Sequence, residues 1–415
     1  MAQAIATARH MTAATAAGGP ILADRIVSID LMRGVALALM AVDHLRDFLT
    51  NIPVEPEDVA HTWPALFFTR WITHFCAPLI FFLAGTGAYL YRLRTGSAAT
   101  ASRFLFTRGL WLVLLELTII EYAWTFVFWR MGGVIWSLGC SMILLAILVR
   151  LPDKVTLAIG AAIVVLHDLF DAVKPAQLGR FDWLWSALHR KGVVPHTHFF
   201  VLFPLLPLAG VMMLGYVFGK LFEKPVAVRS RITLWIGIAA SAAFVVLRAF
   251  NAYGNPTAGV ARNSPGEWHV QGSFVMSVVS FLDTEKYPAS LQYLLMTLGP
   301  SLIALALVDR MGGSRMFQIM SKPIVVFGRV PLLFYVLHLY LIHFAAILLA
   351  YLYHQPVGWL WKGSFWMNEV PSEYGHGLGM VYAMWAVLLV GLYFPCAWFA
   401  EYRHRHKTQW WLSYF

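Results

Sequence analysis

Charge is scarce in this 415-residue sequence. Asp, Glu, Lys and Arg together make up 13% of it, about half the ~25% usual in a soluble domain, which excludes an ordinary water-soluble globule. Cysteine is scarcer still. Cys76, Cys140 and Cys396 each sit inside an apolar run, which argues against a disulfide framework or a thiolate metal site. The first 23 residues are rich in Ala and Thr and lack an apolar core long enough for a signal peptide. The basic residues outnumber the acidic ones by a net charge of +10, but they are scattered singly between apolar segments. No basic tract exists to bind nucleic acid, and the pattern is that of topology signals.

What fills the chain is apolar. The hydrophobic fraction is 59%, and 17 Trp and 16 Tyr suit the interfacial belts of a membrane protein. A bilayer core needs roughly 20 apolar residues per helix, so the chain holds about ten passes. Apolar stretches fall near residues 31–49, 65–91, 104–123, 133–149, 155–170, 198–218, 232–250, 287–308, 324–353 and 378–400. The fold expected is all-α, a polytopic transmembrane bundle of ten or eleven spans. Residues 25–402 form its one domain, between a disordered tail (1–24) and a short C-terminal tail (403–415). Lys and Arg concentrate in alternate loops (Arg92 to Arg103, Arg150 and Lys154, Lys220 to Arg231, Arg310 to Lys322) and in the C-terminal tail. By the positive-inside rule those loops and both termini are cytoplasmic. The stretch 270–283 is too short to cross and reads as a re-entrant or interfacial helix.

The most informative segment is RIVSIDLMRGVALALMAVDHLRDFL, residues 25–49. Asp30 and Arg33 share a helix face at one membrane edge. Asp43, His44, Arg46 and Asp47 follow, with His44 roughly 16 Å further along the axis than Arg33. Ionisable groups at such depth belong against protein or a wet cavity, although a helix end emerging into water would also tolerate them. The next span places Arg70 and His74 four residues apart on one face, at the depth of His44. Converging histidines and carboxylates suit a general base or a proton relay. They could also ligate a metal, but no dedicated ligand spacing is present and none is expected. The small-residue run Ala84, Gly85, Gly87, Ala88 permits close helix packing.

Later segments add weaker signals. Pro204 and Pro207 interrupt a span, and Lys286 and Tyr287 precede Pro288 at the start of another. Lys286 reads as a substrate ligand or as a snorkelling side chain. In FGRVPLLFYVLHLYLIHF, Arg329 suits an anion or snorkels, His338 lies mid-span as packed core or as part of a site, and the length of the stretch demands a tilt, a kink near Pro331 or projection beyond the bilayer. Phe181, Trp183 and Trp185 read as an interfacial belt or as a platform for a sugar ring.

SIDLMRG followed by AVDHLRDF, then FFTRWITHFCAP with FLAGTGAYLY, resembles the bacterial relatives of heparan-α-glucosaminide N-acetyltransferase, within a wider superfamily of transmembrane acyltransferases. The blocks at 203–216, 286–299 and 327–338 and the terminal WWLSYF share in the likeness. The resemblance implies a multi-pass enzyme of the bacterial cytoplasmic (inner) membrane. It would move an acetyl group from cytoplasmic acetyl-CoA to a sugar or amino-sugar acceptor on the far side. The position of the family's catalytic histidine is Glu55 here, so His44 or His74 would have to stand in. With that chemistry, His44 is the base, held by Asp43 or Asp47, and His74 or Arg70 is its partner or an oxyanion donor. An acyl-imidazole on the histidine is the covalent variant. Arg33, Arg329 and Arg108, with His338 nearby, would meet the donor's phosphates, while Lys286, Tyr287 and Trp183 would contact the acceptor. The partners implied are the bilayer, the acyl-CoA and a sugar or glycoconjugate; a homodimer is compatible with them. The competing reading is a proton-coupled transporter using the buried Asp, His and Arg.

Overall fold

The computed structural model describes residues 26–256, 266–367, 369–406 and 408–414; the expected tail, 1–24, lies outside them. The chain is about 74% helical, in keeping with the all-α expectation drawn from its apolar stretches. Helix α1 is Val27–Leu49 and α2 is Pro64–Thr95. Proline occupies the first turn of α2, where its missing N–H costs nothing, and Gly96 ends it in the left-handed region. Helix α3, Ala98–Leu115, starts on a Ser97 cap and runs on through a π turn, Glu116–Ile120, into Glu121–Thr125. Helices α4 (Val134–Leu148) and α5 (Asp153–Leu166) follow.

Helix α6 is Leu205–Glu223 and α7 is Val226–Ala249. The short α8 (Phe274–Leu282) precedes α9 (Leu291–Met311), α10 (Arg315–Arg329), α11 (Pro331–Leu352) and α12 (Leu378–Arg405). Three two-residue strands, β1 (Met131–Gly132), β2 (Gly192–Val193) and β3 (Phe200–Val201), pair in the order β1-β3-β2.

Among the described residues, six helices, α2, α6, α7, α9, α11 and α12, are long and apolar enough to cross a membrane. Helix α1 is long enough but is set apart by its charged residues. Two expected spans differ in detail. The stretch 198–218 does not begin as helix, because β3 occupies its first residues and Pro204 starts α6 rather than interrupting it. The stretch 324–353 breaks at Val330, immediately before Pro331, into α10 and α11, since proline disfavours helical geometry in its predecessor. Helix α8 has nine residues, about 14 Å of helix, too short to span. At the other end, α12 continues to Arg405 and Leu412 is buried, with the Tyr414 hydroxyl 2.8 Å from that of Thr107.

The centre of the bundle is α1. Eighteen of its 23 residues are buried, whereas α7 and α12 turn Trp235, Phe394 and Trp398 outward. Close approach to its neighbours depends on glycine. A Cβ on Gly328 would lie 1.7 Å from the Asp30 carbonyl oxygen, and one on Gly34 would lie 2.0 Å from that of Ile324. The small-residue run in α2 acts the same way, with Gly85 against Met212 and Gly215 against Phe82. A polar clamp ties α1, α7 and α9 together. Arg229 donates Nε and Nη2 to the two Asp309 carboxylate oxygens at 2.6 and 2.8 Å, and Ser28 donates to the same carboxylate at 2.9 Å.

Removing one partner of such a buried pair leaves the other uncompensated. Asp309→Ala should therefore destabilise the folded protein by about 3–5 kcal/mol. Thermal unfolding of the detergent-solubilised protein measures this; an unchanged midpoint would show the clamp to be dispensable.

Candidate functional site

One face of α1 lines a cavity of about 1940 Å³. Arg33, Leu37, Met40, Asp43, His44 and Asp47 all border it, at the three- and four-residue intervals that keep side chains on one helical face. From Arg33 to Asp47 this face covers about 21 Å. A matching face of α2 (Cys76, Ala77, Ile80, Ala84, Tyr91, Arg94) and residues of α3, α4 and α11 complete the wall. Glu116, in the π turn of α3, accepts from the backbone N–H groups of Ile135 and Trp136 at 3.0 and 3.2 Å. It thereby satisfies the start of α4, whose free N–H groups favour a carboxylate.

The two ends of the cavity differ in charge. One end carries Arg33, Arg94, Arg108, Arg329 and Arg403. Arg33 is bonded to Asp30 at 3.4 Å and to the Gly328 carbonyl at 3.2 Å, and Arg403 donates to the Arg329 carbonyl at 3.2 Å. The other end mixes both signs: Asp43, Arg46, Asp47, Glu55, Glu57, Arg70, Glu285 and Lys286 all border it. Leu37, Met40, Leu105, Leu138 and Leu332 form apolar wall between them.

His44 reaches the wall from α1 and packs edge-on against Trp124, with ring centroids 4.6 Å apart. Its Nδ1 lies 2.7 Å from Nε2 of His338, and the two imidazoles stack at 5.0 Å. Neither Asp43 nor Asp47 holds it, contrary to expectation, because arginines engage both carboxylates. Asp47 accepts from Arg46 at 2.5 Å, and Asp43 pairs with Arg46 at 3.1 Å and also with Arg70.

From Asp43 the ionic chain continues outward. Arg70 donates Nε to Glu57 at 3.1 Å, and the same Glu57 oxygen lies 2.8 Å from His74 Nε2. Burial opposes ionisation of Glu57, but the Arg70 guanidinium and the His74 hydrogen bond outweigh it and hold the carboxyl well below the usual range. His74 is 1% exposed and does not border the cavity, and the Tyr293 hydroxyl donates to its backbone carbonyl at 2.8 Å. The chain links it to Asp43, the neighbour of His44 along α1, and not to His44 itself. Glu57 is the member that sequence reasoning missed. It lies in an irregular loop, where helical spacing gives no signal.

Lys286 and Tyr287 do border the cavity. The Tyr287 ring has Lys191 Nζ 4.9 Å from its centroid and Lys286 Nζ 5.2 Å from it. Their loop is anchored by Arg248, which is 1% exposed and donates to the backbone carbonyls of Gly266, Ser280, Phe281 and Asp283. Of the expected donor ligands, Arg33, Arg108 and Arg329 line the arginine end, joined by the unforeseen Arg94 and Arg403. His338 does not. It is fully buried behind His44 and outside the wall. Trp183 is not brought to the cavity either: it is 49% exposed on the short helix Asp182–His189. Among the described residues, no group of three or more His, Cys, Asp or Glu is arranged to hold a metal.

With this geometry in hand, comparison with known families finds a match. The family described as "Heparan-alpha-glucosaminide N-acetyltransferase, catalytic" matches residues 25–249, more than half of the chain and all of α1 to α7. No curated protein matches the chain significantly.

Glu285, in the loop between α8 and α9, offers a pH test. Burial pushes its carboxyl up to about 7, so between about 4.5 and 7 the folded protein holds a proton that the unfolded chain releases. Stability from this group is present below that window and falls as pH rises through it. Glu285→Gln should raise the unfolding midpoint at pH 8 relative to the unsubstituted protein and leave the pH 5 midpoint nearly unchanged. Parallel pH curves would contradict the assignment.

Proposed function

The chain belongs to the heparan-alpha-glucosaminide N-acetyltransferase catalytic family, and from that premise we propose that it moves an acetyl group from acetyl-CoA to a sugar or amino-sugar acceptor, with His44 as the general base. Family membership and the apolar helices make it a multi-pass membrane acetyltransferase. The observation that carries the finer reading is the continuity of one cavity along α1, from a cluster of arginines to His44 and on to a charged mouth. A transporter is not favoured, because the family is one of acyl transfer.

In this reading the donor's phosphates sit among Arg33, Arg94, Arg108, Arg329 and Arg403, whose guanidinium groups match phosphate geometry. The pantetheine arm follows the apolar wall, and the thioester lies beside His44. The acceptor enters at the Lys286 and Tyr287 end. As its nitrogen or oxygen bonds to the thioester carbon, His44 Nε2 takes the proton that this atom loses. Collapse of the tetrahedral intermediate breaks the carbon–sulfur bond, and the proton passes to the departing thiolate. Arg70 at the wall is a candidate donor to the oxyanion. The charge pattern of the loops supports about ten spans with the arginine end and both termini cytoplasmic, in a bacterial inner membrane. Donor and acceptor then approach from opposite sides.

The test is acetyl transfer by the purified protein from labelled acetyl-CoA to glucosamine and related amino sugars. His44→Ala should lower kcat by about 10²–10⁴-fold, the usual share of a general base, with donor binding retained. Arg33→Gln and Arg108→Gln should instead raise the donor KM. Full activity in His44→Ala would remove His44 from the chemistry, and unaltered donor KM in both arginine variants would remove the phosphate site.

A further inference from the structure

His338 was expected to meet the donor, but it borders no part of the cavity. Its surroundings give it a different role. Nδ1 of His338 lies 3.1 Å from the carbonyl oxygen of Phe334, one turn earlier on α11. A carbonyl only accepts, so this bond places the ring proton on Nδ1 and leaves Nε2 as a lone pair. That lone pair faces His44 Nδ1 at 2.7 Å. The contact is a hydrogen bond only if His44 Nδ1 carries the proton and donates. His44 Nε2 is then the unprotonated nitrogen. It has no hydrogen-bond partner among the described residues, and its ring borders the cavity.

We propose that His338 is a positioning residue that fixes His44 in the Nδ1–H tautomer, so that its Nε2 lone pair points at the reacting groups. The proposal rests on the reading of His44 as the base. His338 is fully buried, with Phe334 stacked on it at 5.4 Å and Tyr335 edge-on at 5.2 Å, so water does not compete for the bond. The arrangement has the logic of the carboxylate that orients the histidine of a serine hydrolase. Here the orienting group is a neutral imidazole, and its own tautomer is set by a backbone carbonyl. When His44 takes the proton, its Nδ1–H continues to donate to His338, so the bond that orients the base also receives the imidazolium.

Two amide substitutions separate this role from packing. The side-chain oxygen of Gln reaches about where Nε2 of His338 stands, so His338→Gln keeps an acceptor for His44. Asn reaches only the Nδ1 position, so His338→Asn keeps the contact with Phe334 and loses the one with His44. In the full-length protein in detergent or nanodiscs, His338→Asn should lower kcat by about 10²-fold, the scale of a general base's share. Donor KM and donor binding should stay within about twofold. His338→Gln should recover about tenfold or more of that loss. Equal losses in the two variants, or a loss in Asn that appears in KM rather than kcat, would overturn the proposal. If His338→Asn unfolds, the comparison is made on His338→Gln alone, where kcat as low as in His44→Ala with donor binding intact would overturn the proposal; if His338→Gln unfolds, it is made on His338→Asn alone, where unaltered kcat would overturn it. The arm that tests the base itself is separate: an active His44→Ala refutes the reading of His44, whereas an inactive His44→Ala beside an active His338→Asn refutes only the positioning.

Discussion

Everything in this structure depends on keeping the ionisable groups of α1 away from hydrocarbon. Asp30, Arg33, Asp43, His44, Arg46 and Asp47 occupy a single 23-residue helix, and a charge exposed to lipid costs at least several kcal/mol. The bundle answers by burying α1 centrally, with α2, α10, α11 and α12 around it. The glycine contacts at Gly34 and Gly328 let α10 approach closely enough to close one side, and the cavity takes the face that remains. Its wall is polar at the two ends and apolar between, because α1 is polar at its two ends and apolar between.

Compensation within the site follows the same constraint. The carboxylates beside His44 are engaged by Arg46 and Arg70, and the charge is passed on to Glu57 and His74. A buried ion pair is weak evidence for stability, since desolvation offsets the attraction. A chain of alternating signs, however, fixes the relative placement of three elements: α1, the loop after it, and the start of α2. That loop and the one anchored by Arg248 bring Glu57, Glu285, Lys286 and Tyr287 to the same mouth. These irregular loops are thus held by Arg70 and Arg248 rather than by regular secondary structure.

Much of the frame was legible in the sequence, and for identifiable reasons. Apolar length placed α2, α7, α9 and α12 within a few residues. Pro331 marked a kink as one of the options for the long stretch 324–353, and the helix does break there. Helical spacing placed Arg33 at one end of α1 and Asp43, His44 and Asp47 together about 16 Å further along it, but not the single cavity face that they share. Pairing was not legible in that way. Asp43 and Asp47 are close to His44 along the helix, yet Arg70 and Arg46 take them, and a linear pattern does not rank competing partners. Glu57 lay in a loop without periodicity, and Arg403 lay some 70 residues beyond Arg329, to whose carbonyl it donates. Trp183 was chosen for its ring chemistry, which says nothing about where a connecting helix turns it.

The paired imidazoles resolve a difficulty that the charged end poses. A base that works between lipid-embedded helices has to orient its lone pair without another full charge beside it, because an unpaired buried charge is more costly than the hydrogen bond it provides. An aspartate behind His44 would need its own cation, and Arg46 and Arg70 are already paired with Asp43, Asp47 and Glu57. A neutral histidine whose Nδ1 faces a main-chain carbonyl supplies direction with no net charge. The backbone oxygen of Phe334 is fixed by α11 itself, and α11 begins at the proline that breaks the helix before it. The tautomer of the cavity histidine thus traces back to the turn at Val330 and Pro331, which sets where on α11 the Phe334 carbonyl and the His338 ring face α1.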